Sequence, residues 1–120
     1  MSTTSNESIL TSIKKLLGIE EGYTQFDLDI ITHINSVFLI LNQMGVGPDA
    51  PFYISDSTQT WTDFTEDITK LEMVKSYVYL KVRLLFDPPT SSALLDSMKN
   101  LINEYGWRLN IQVDPGDTEA

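Results

Sequence analysis

At 120 residues, 42% of them hydrophobic, the chain is long enough for one cored domain and too short for two. Eight basic residues against seventeen acidic ones leave a formal net charge of -9, which excludes the broad phosphate-neutralising surface of a nucleic-acid binder. The lack of cysteine excludes a disulfide scaffold and thiolate metal sites and fits a reducing cytoplasm, and the longest unbroken apolar run, residues 37–41, is far too short to span a membrane.

Residues 1–5 are polar and expected to fray, with neither the basic start nor the apolar core of a signal peptide. A first helix is expected from about residue 6 to residue 17, capped by Ser5 or Asn6. Its apolar stripe is Ile9, Ile13, Leu16 and Leu17, and Gly18 is its stop. Residues 19–25 connect it to a long second helix beginning near Phe26 or Asp27 and reaching Met44. Ile30, Ile34, Val37, Leu41 and Met44 form its seam at four-three-four-three spacing, with Ile31 and Phe38 alongside. Asp27 and Asp29 suit its first turn, and Gly45-Val46-Gly47-Pro48 ends it in the usual glycine-then-proline order. Residues 49–62 read as an ordered loop whose Phe52, Ile54 and Trp61 dock on the bundle or on a partner. A short extended piece at 52–55 fits that loop.

The stretch 61–89 organises the rest. Asp63 or Thr65 is its expected N-cap, Glu66 and Asp67 lie in its first turn, and Glu66 with Lys70 makes a favourable i,i+4 pair. Ile68, Leu71, Val74, Val78, Val82 and Leu85 recur at helical spacing, and Tyr77, Leu80 and Leu84 add a second apolar flank. Two flanks imply a central helix, or one that also meets another chain. Asp87 before Pro88-Pro89 is a sharp end, because proline disfavours the helical region for its predecessor and cannot donate to the ladder. Ser91 or Ser92 then caps a fourth helix to about Tyr105 or Trp107, striped by Leu94, Leu95, Met98, Leu101, Ile102 and Tyr105. Trp107, Leu109, Ile111 and Val113 alternate like a strand, and residues 114–120 are acidic and expected to be mobile. The fold expected is all-α: a single domain of about four helices, with an ordered loop between helices two and three and an extended C-terminal tail.

Little in the sequence points to chemistry, and no enzyme, cofactor or metal is expected. His33 and Asp29 share a helix face, but a metal site needs three or four ligands and there is no second histidine. The bland reading of the pair is a helix-surface ion pair. Asp63, Glu66 and Asp67, like Glu20 and Glu21, read as helix-start and linker charge rather than acid–base pairs. No phosphate-binding or nucleophile-elbow motif occurs. Lys70, Lys75, Lys81 and Arg83 do not gather into a groove-reading face.

The aromatics are more informative. Phe52, Trp61, Phe64, Phe86 and Trp107 stand at element ends and in loops. They either close the ends of one core or anchor a protein–protein interface, where such residues are enriched.

The order of the pieces resembles a known family. I-K-K-L-L-G-I, then D-I-I-T-H-I-N-S-V-F-L-I-L-N-Q-M-G-V-G-P, F-Y-I, W-T-D-F, V-K-S-Y-V-Y-L-K-V-R-L-L-F-D-P-P and W-R-L-N is similar to the head-tail connector (adaptor) proteins of tailed phages and prophages of Gram-positive bacteria. The likeness covers roughly residues 8–111. It implies a mostly helical virion protein, assembled in the host cytoplasm, with no enzymatic activity and no cofactor. It would form a ring with itself, a dodecamer matching the portal, at the head-tail junction. Portal protein would lie on one side and a head-closure, stopper or tail protein on the other, with DNA passing through the lumen without specific binding and no membrane involved. Interface residues expected on the combined reading are Phe52, Trp61, Phe64, Phe86, Asp87, Pro88, Pro89, Trp107, Arg108, Leu109 and Ile111, with the 107–113 tail pairing onto a neighbour. The alternative is a small acidic regulatory protein that occupies a basic protein partner.

Overall fold

Five helices make up the described part of the computed structural model, residues 7–113: α1 (Ile9–Leu17), α2 (Asp27–Gln43), α3 (Trp61–Phe64), α4 (Ile68–Phe86) and α5 (Ser92–Val113). The all-α expectation holds, with four long helices and one extra turn. The expected mobile ends, 1–5 and 114–120, lie outside the described residues.

Local chemistry sets the boundaries. The cap of α1 is Ser8 rather than Ser5 or Asn6: its Oγ accepts the Thr11 N–H at 3.1 Å. Gly18 ends the helix in the left-handed region at φ 83°. Phe26 precedes α2 without a side-chain cap, and Asp27 and Asp29 occupy its first turn. The central helix starts later than expected. Asp67, not Asp63 or Thr65, is the N-cap of α4 and accepts the Thr69 N–H at 3.1 Å. Residues 61–64 instead form the separate turn α3, whose start is held by the Thr60 N–H donating to the Asp63 carboxylate at 2.9 Å. Glu66 therefore precedes α4, and among the described residues the expected Glu66–Lys70 pair does not form. The sharp stop at Asp87 is as the sequence indicates. On α5, Ser91 caps, with its Oγ 3.3 Å from the Leu94 N–H.

Packing then decides the layers. Packed against α1, α2 and α5 alike, α4 buries Val74, Val78 and Val82 completely on one flank and Leu71, Tyr77 and Leu80 nearly so around it. The seam of α2 contributes Ile30, Ile34, Val37 and Leu41, and α1 contributes Ile9, Leu10 and Ile13. Burying such a side chain is worth about 1.5–3 kcal/mol, so this core dominates the energetics.

The strand-like alternation at the C-terminal end does not produce a strand. Residues 107–113 continue α5, because Met98, Ile102, Tyr105 and Leu109 recur at four-three-four spacing and face α4, with Leu109 fully buried. Gly106 faces the Tyr77 ring of α4, where a Cβ would stand 3.4 Å away, about ordinary contact distance. The segment 52–55 has no regular secondary structure. Asn35 of α2 supplies its partner, donating Nδ2 to the Ile54 carbonyl at 3.0 Å while its Oδ1 accepts the Ile54 N–H at 2.8 Å.

A buried ammonium fastens the first connector. Lys14 has a side chain only 3% exposed, and its Nζ lies 2.8 Å from Asp27 Oδ1 while donating to the carbonyls of Glu21 at 3.0 Å and Tyr23 at 2.7 Å. Asp27 Oδ1 is enclosed and has no hydrogen-bond partner among the described residues, so the Lys14 charge is its compensation there.

Both tight spots can be probed by denaturant unfolding. Lys14→Met should cost about 3 kcal/mol, because it leaves a sheltered carboxylate unpaired. Gly47→Ala should cost about 2–4 kcal/mol by the same measurement. The backbone there has φ 96°, and an added Cβ would lie 2.5 Å from the Phe64 ring.

Candidate subunit-contact surfaces

The aromatics singled out in the sequence divide into an inner and an outer set. Phe52 and Phe64 pack around Phe38 of α2 at ring-centroid distances of 5.2 and 4.8 Å, and Trp61 joins at 6.2 Å. Trp61 is fully buried, Phe64 is 4% exposed and Phe52 is half-buried. The indole N–H donates to the buried Ser12 Oγ at 2.8 Å, and Ser12 in turn donates to the Ile9 carbonyl. Above the ring, Lys75 Nζ stands 5.8 Å from its centroid and 3.4 Å from Glu7 Oε1. These three aromatics close the subunit's own core. Leu109 is also wholly inside.

The outer set stands at two places. At the end of α4, Phe86 meets Phe26 edge-on at 5.3 Å, and Phe26 meets Tyr23 at 5.6 Å. This row is partly open to solvent and adjoins Asp87, Pro88 and Pro89, where Arg83 Nε donates to the Asp87 carbonyl at 3.2 Å. On α5, Trp107 is 64% exposed and Ile111, one turn along the same side, is 46% exposed. Arg108 beside them pairs with Glu104 at 2.9 Å, an exposed i,i+4 contact.

Sequence reasoning missed further members of this surface. Leu28 is 75% exposed, Tyr53 and Leu85 are also open, and Tyr23 and Phe26 complete the row at Phe86. Leu28 carried a signal: it falls off the Ile30–Ile34–Val37–Leu41 seam, so an apolar residue sits on the water side of α2. Leu85 looked like a core position by spacing alone, but it is 54% exposed while Leu84 and Phe86 on either side pack against the core.

Among the described residues, two of the surface grooves stand out. One, of about 430 Å³ between α1 and α4, includes Leu16 and Tyr79 with Lys15, Lys75 and Glu7. The other, of about 390 Å³, is bounded by α1, α2 and the turn at 55–57, with Leu10, Leu28 and Ile31 as apolar lining and Asp56 at its rim. Hydrogen bonds from the Thr58 hydroxyl and N–H hold the Asp56 carboxyl below the usual carboxylate range, so it stays charged. Asp67 is held low in the same way by Thr69.

Charge is segregated along the sequence. Residues 16–69 carry nine acidic side chains and no lysine or arginine, whereas 70–113 carry six basic and four acidic ones. Among the described residues, Asp29 and His33 do not form the ion pair expected on α2. Among the same residues no three His, Cys, Asp or Glu side chains are grouped as metal ligands, and no helix is long and apolar enough to cross a membrane.

The contrast between the two tryptophans is measurable. Emission from the Trp107→Phe chain should come from buried Trp61 and resist iodide quenching. The wild-type chain should retain a strongly quenched component from Trp107.

Residues 9–116 match the family described as phage connector protein. No curated protein and no solved structure gives a significant match. With nearly the whole chain covered, and with the helical architecture expected of such a subunit, the protein belongs to the phage connector family, the structural head-tail connectors of the virion.

Proposed function

We propose that this subunit forms a ring at the capsid portal vertex, at the head-tail junction, and joins the portal to the head-closure or tail proteins while extending the DNA channel. The observation that carries the reading is the family match over residues 9–116. A dodecamer matching the portal is the assembly proposed, formed in the host cytoplasm before it becomes part of the virion.

Three physical features support it. A net charge of -9 lets DNA slide past without the phosphate contacts that would hold it. Scattered exposed apolar residues are ordinary on any protein, but Tyr23, Phe26 and Phe86 form a row, and Trp107 and Ile111 form a pair. Two distinct apolar patches on one chain suit a heterologous contact, which closes into a ring when the rotation permits. A specific interface buries about 1,200–2,000 Å² in total, more than either patch offers alone, so the neighbouring corner at Asp87, Pro88 and Pro89 and the Arg108 edge belong to the proposed contacts. Phe52, Trp61, Phe64 and Leu109 serve those contacts from inside, by holding the elements that present them. Since 107–113 is helical, the contact it makes is side-chain packing rather than strand addition.

Light scattering on the chain alone and mixed with its portal protein tests this. The expected outcome is a discrete ring, either free or seated on the portal. A chain that stays monomeric and ignores the portal would overturn the reading and favour the acidic regulator of a basic partner.

A further inference from the structure

We propose that the groove bounded by α1, α2 and the 55–57 turn receives Trp107, Arg108 and Ile111 of α5 from the next copy of the chain. This rests on the ring reading above and names the contact that would build it.

The two surfaces match in chemistry. The groove offers an apolar lining of Leu10, Leu28 and Ile31, of which Leu28 is left 75% exposed by the isolated subunit. Its volume of about 390 Å³ accommodates an indole together with a short aliphatic side chain. The outward side of α5 offers that combination: an indole 64% exposed and an isoleucine one turn further on. Burying both would remove the largest apolar exposures on α5 and on the start of α2 at once.

Charge selects the same pairing. Asp56 stands at the groove rim, ionised and without a cationic partner among the described residues. Arg108 arrives beside Trp107 with only an exposed i,i+4 pair to Glu104, a weak solvent-screened contact, so its guanidinium can be shared or exchanged at little cost. Residues 16–69 hold nine acids and no lysine or arginine, with Lys14 neutralising only Asp27 of the groove, so this region would repel a second copy of itself. A face-to-face isologous contact through the groove is therefore disfavoured, and a head-to-tail contact onto the α4–α5 half is favoured. The other groove, between α1 and α4, sets Lys15 and Lys75 against Glu7 and Glu72, so it offers Arg108 no net negative charge.

The chain has no native cysteine, which makes the test direct. Leu28→Cys and Ile111→Cys place single thiols at exposed positions of two separate chains. The chains are mixed in equal amounts, assembled with the portal protein and oxidised. The expected result is a covalent dimer containing one chain of each kind, and no dimer from either chain assembled alone. Rings that form without the mixed dimer overturn this contact and leave the ring reading standing. A dimer from either chain alone overturns it too, since that product requires an isologous contact. Absence of both rings and dimer, for wild type and variants alike, overturns the ring reading together with this one.

Discussion

The burial of α4 on more than one flank is the constraint from which the other placements follow. Val74, Val78 and Val82 face one way while Tyr77 and Leu80 face another, and each direction must be covered by a different neighbour. Helices α1 and α2 cover part of that surface and α5 covers another part, with Gly106 facing the Tyr77 ring. At about 1.5–3 kcal/mol for each large apolar side chain, this burial outweighs anything the exposed ion pairs contribute. The Tyr77 hydroxyl feels the same packing, since burial pushes its ionisation above the ordinary tyrosine range.

Polar groups act differently, by fastening irregular segments to this frame. Lys14 ties the connector between α1 and α2 through two carbonyls and Asp27. Asn35 clamps Ile54 with a pair of hydrogen bonds, and the Trp61 indole anchors to Ser12. Near the start of α1 the Ile9 N–H donates to the Gln59 carbonyl and the Trp61 N–H to that of Glu7. Loops held in this way present Leu28, Tyr23 and Phe26 in a defined arrangement before any neighbour arrives. Such preorganisation lowers the entropy that assembly must offset.

A structural virion component needs surfaces rather than a reaction centre, and the fold provides them from leftover faces. Near the end of α4 Leu85 is open while Phe86 stays packed against Phe26, and on α5 Trp107 and Ile111 are exposed. The acidic first half and the mildly basic second half add direction to these surfaces, since like halves repel and unlike halves attract.

Much of this was legible in the chain. The helical periodicity of 30–44 and 68–86, the glycine stop at Gly18 and the Asp87-Pro88-Pro89 corner depend on residues within a turn of one another, and all three stand as read. What could not be read locally was decided by distant partners. Ser8 became a cap and Trp61 a core residue because the start of α1 meets the 59–61 segment across the fold. The extended reading of 107–113 failed because alternate apolar residues fit a strand and a helix equally well until α4 supplies a surface for Leu109. The same limit applies to the interface residues. Spacing and residue type identified all-α architecture and an unusual supply of aromatics. Only packing could sort Phe52, Trp61 and Phe64 into the core and leave Trp107 in water, because burial is a property of what lies opposite a side chain and not of its neighbours in sequence.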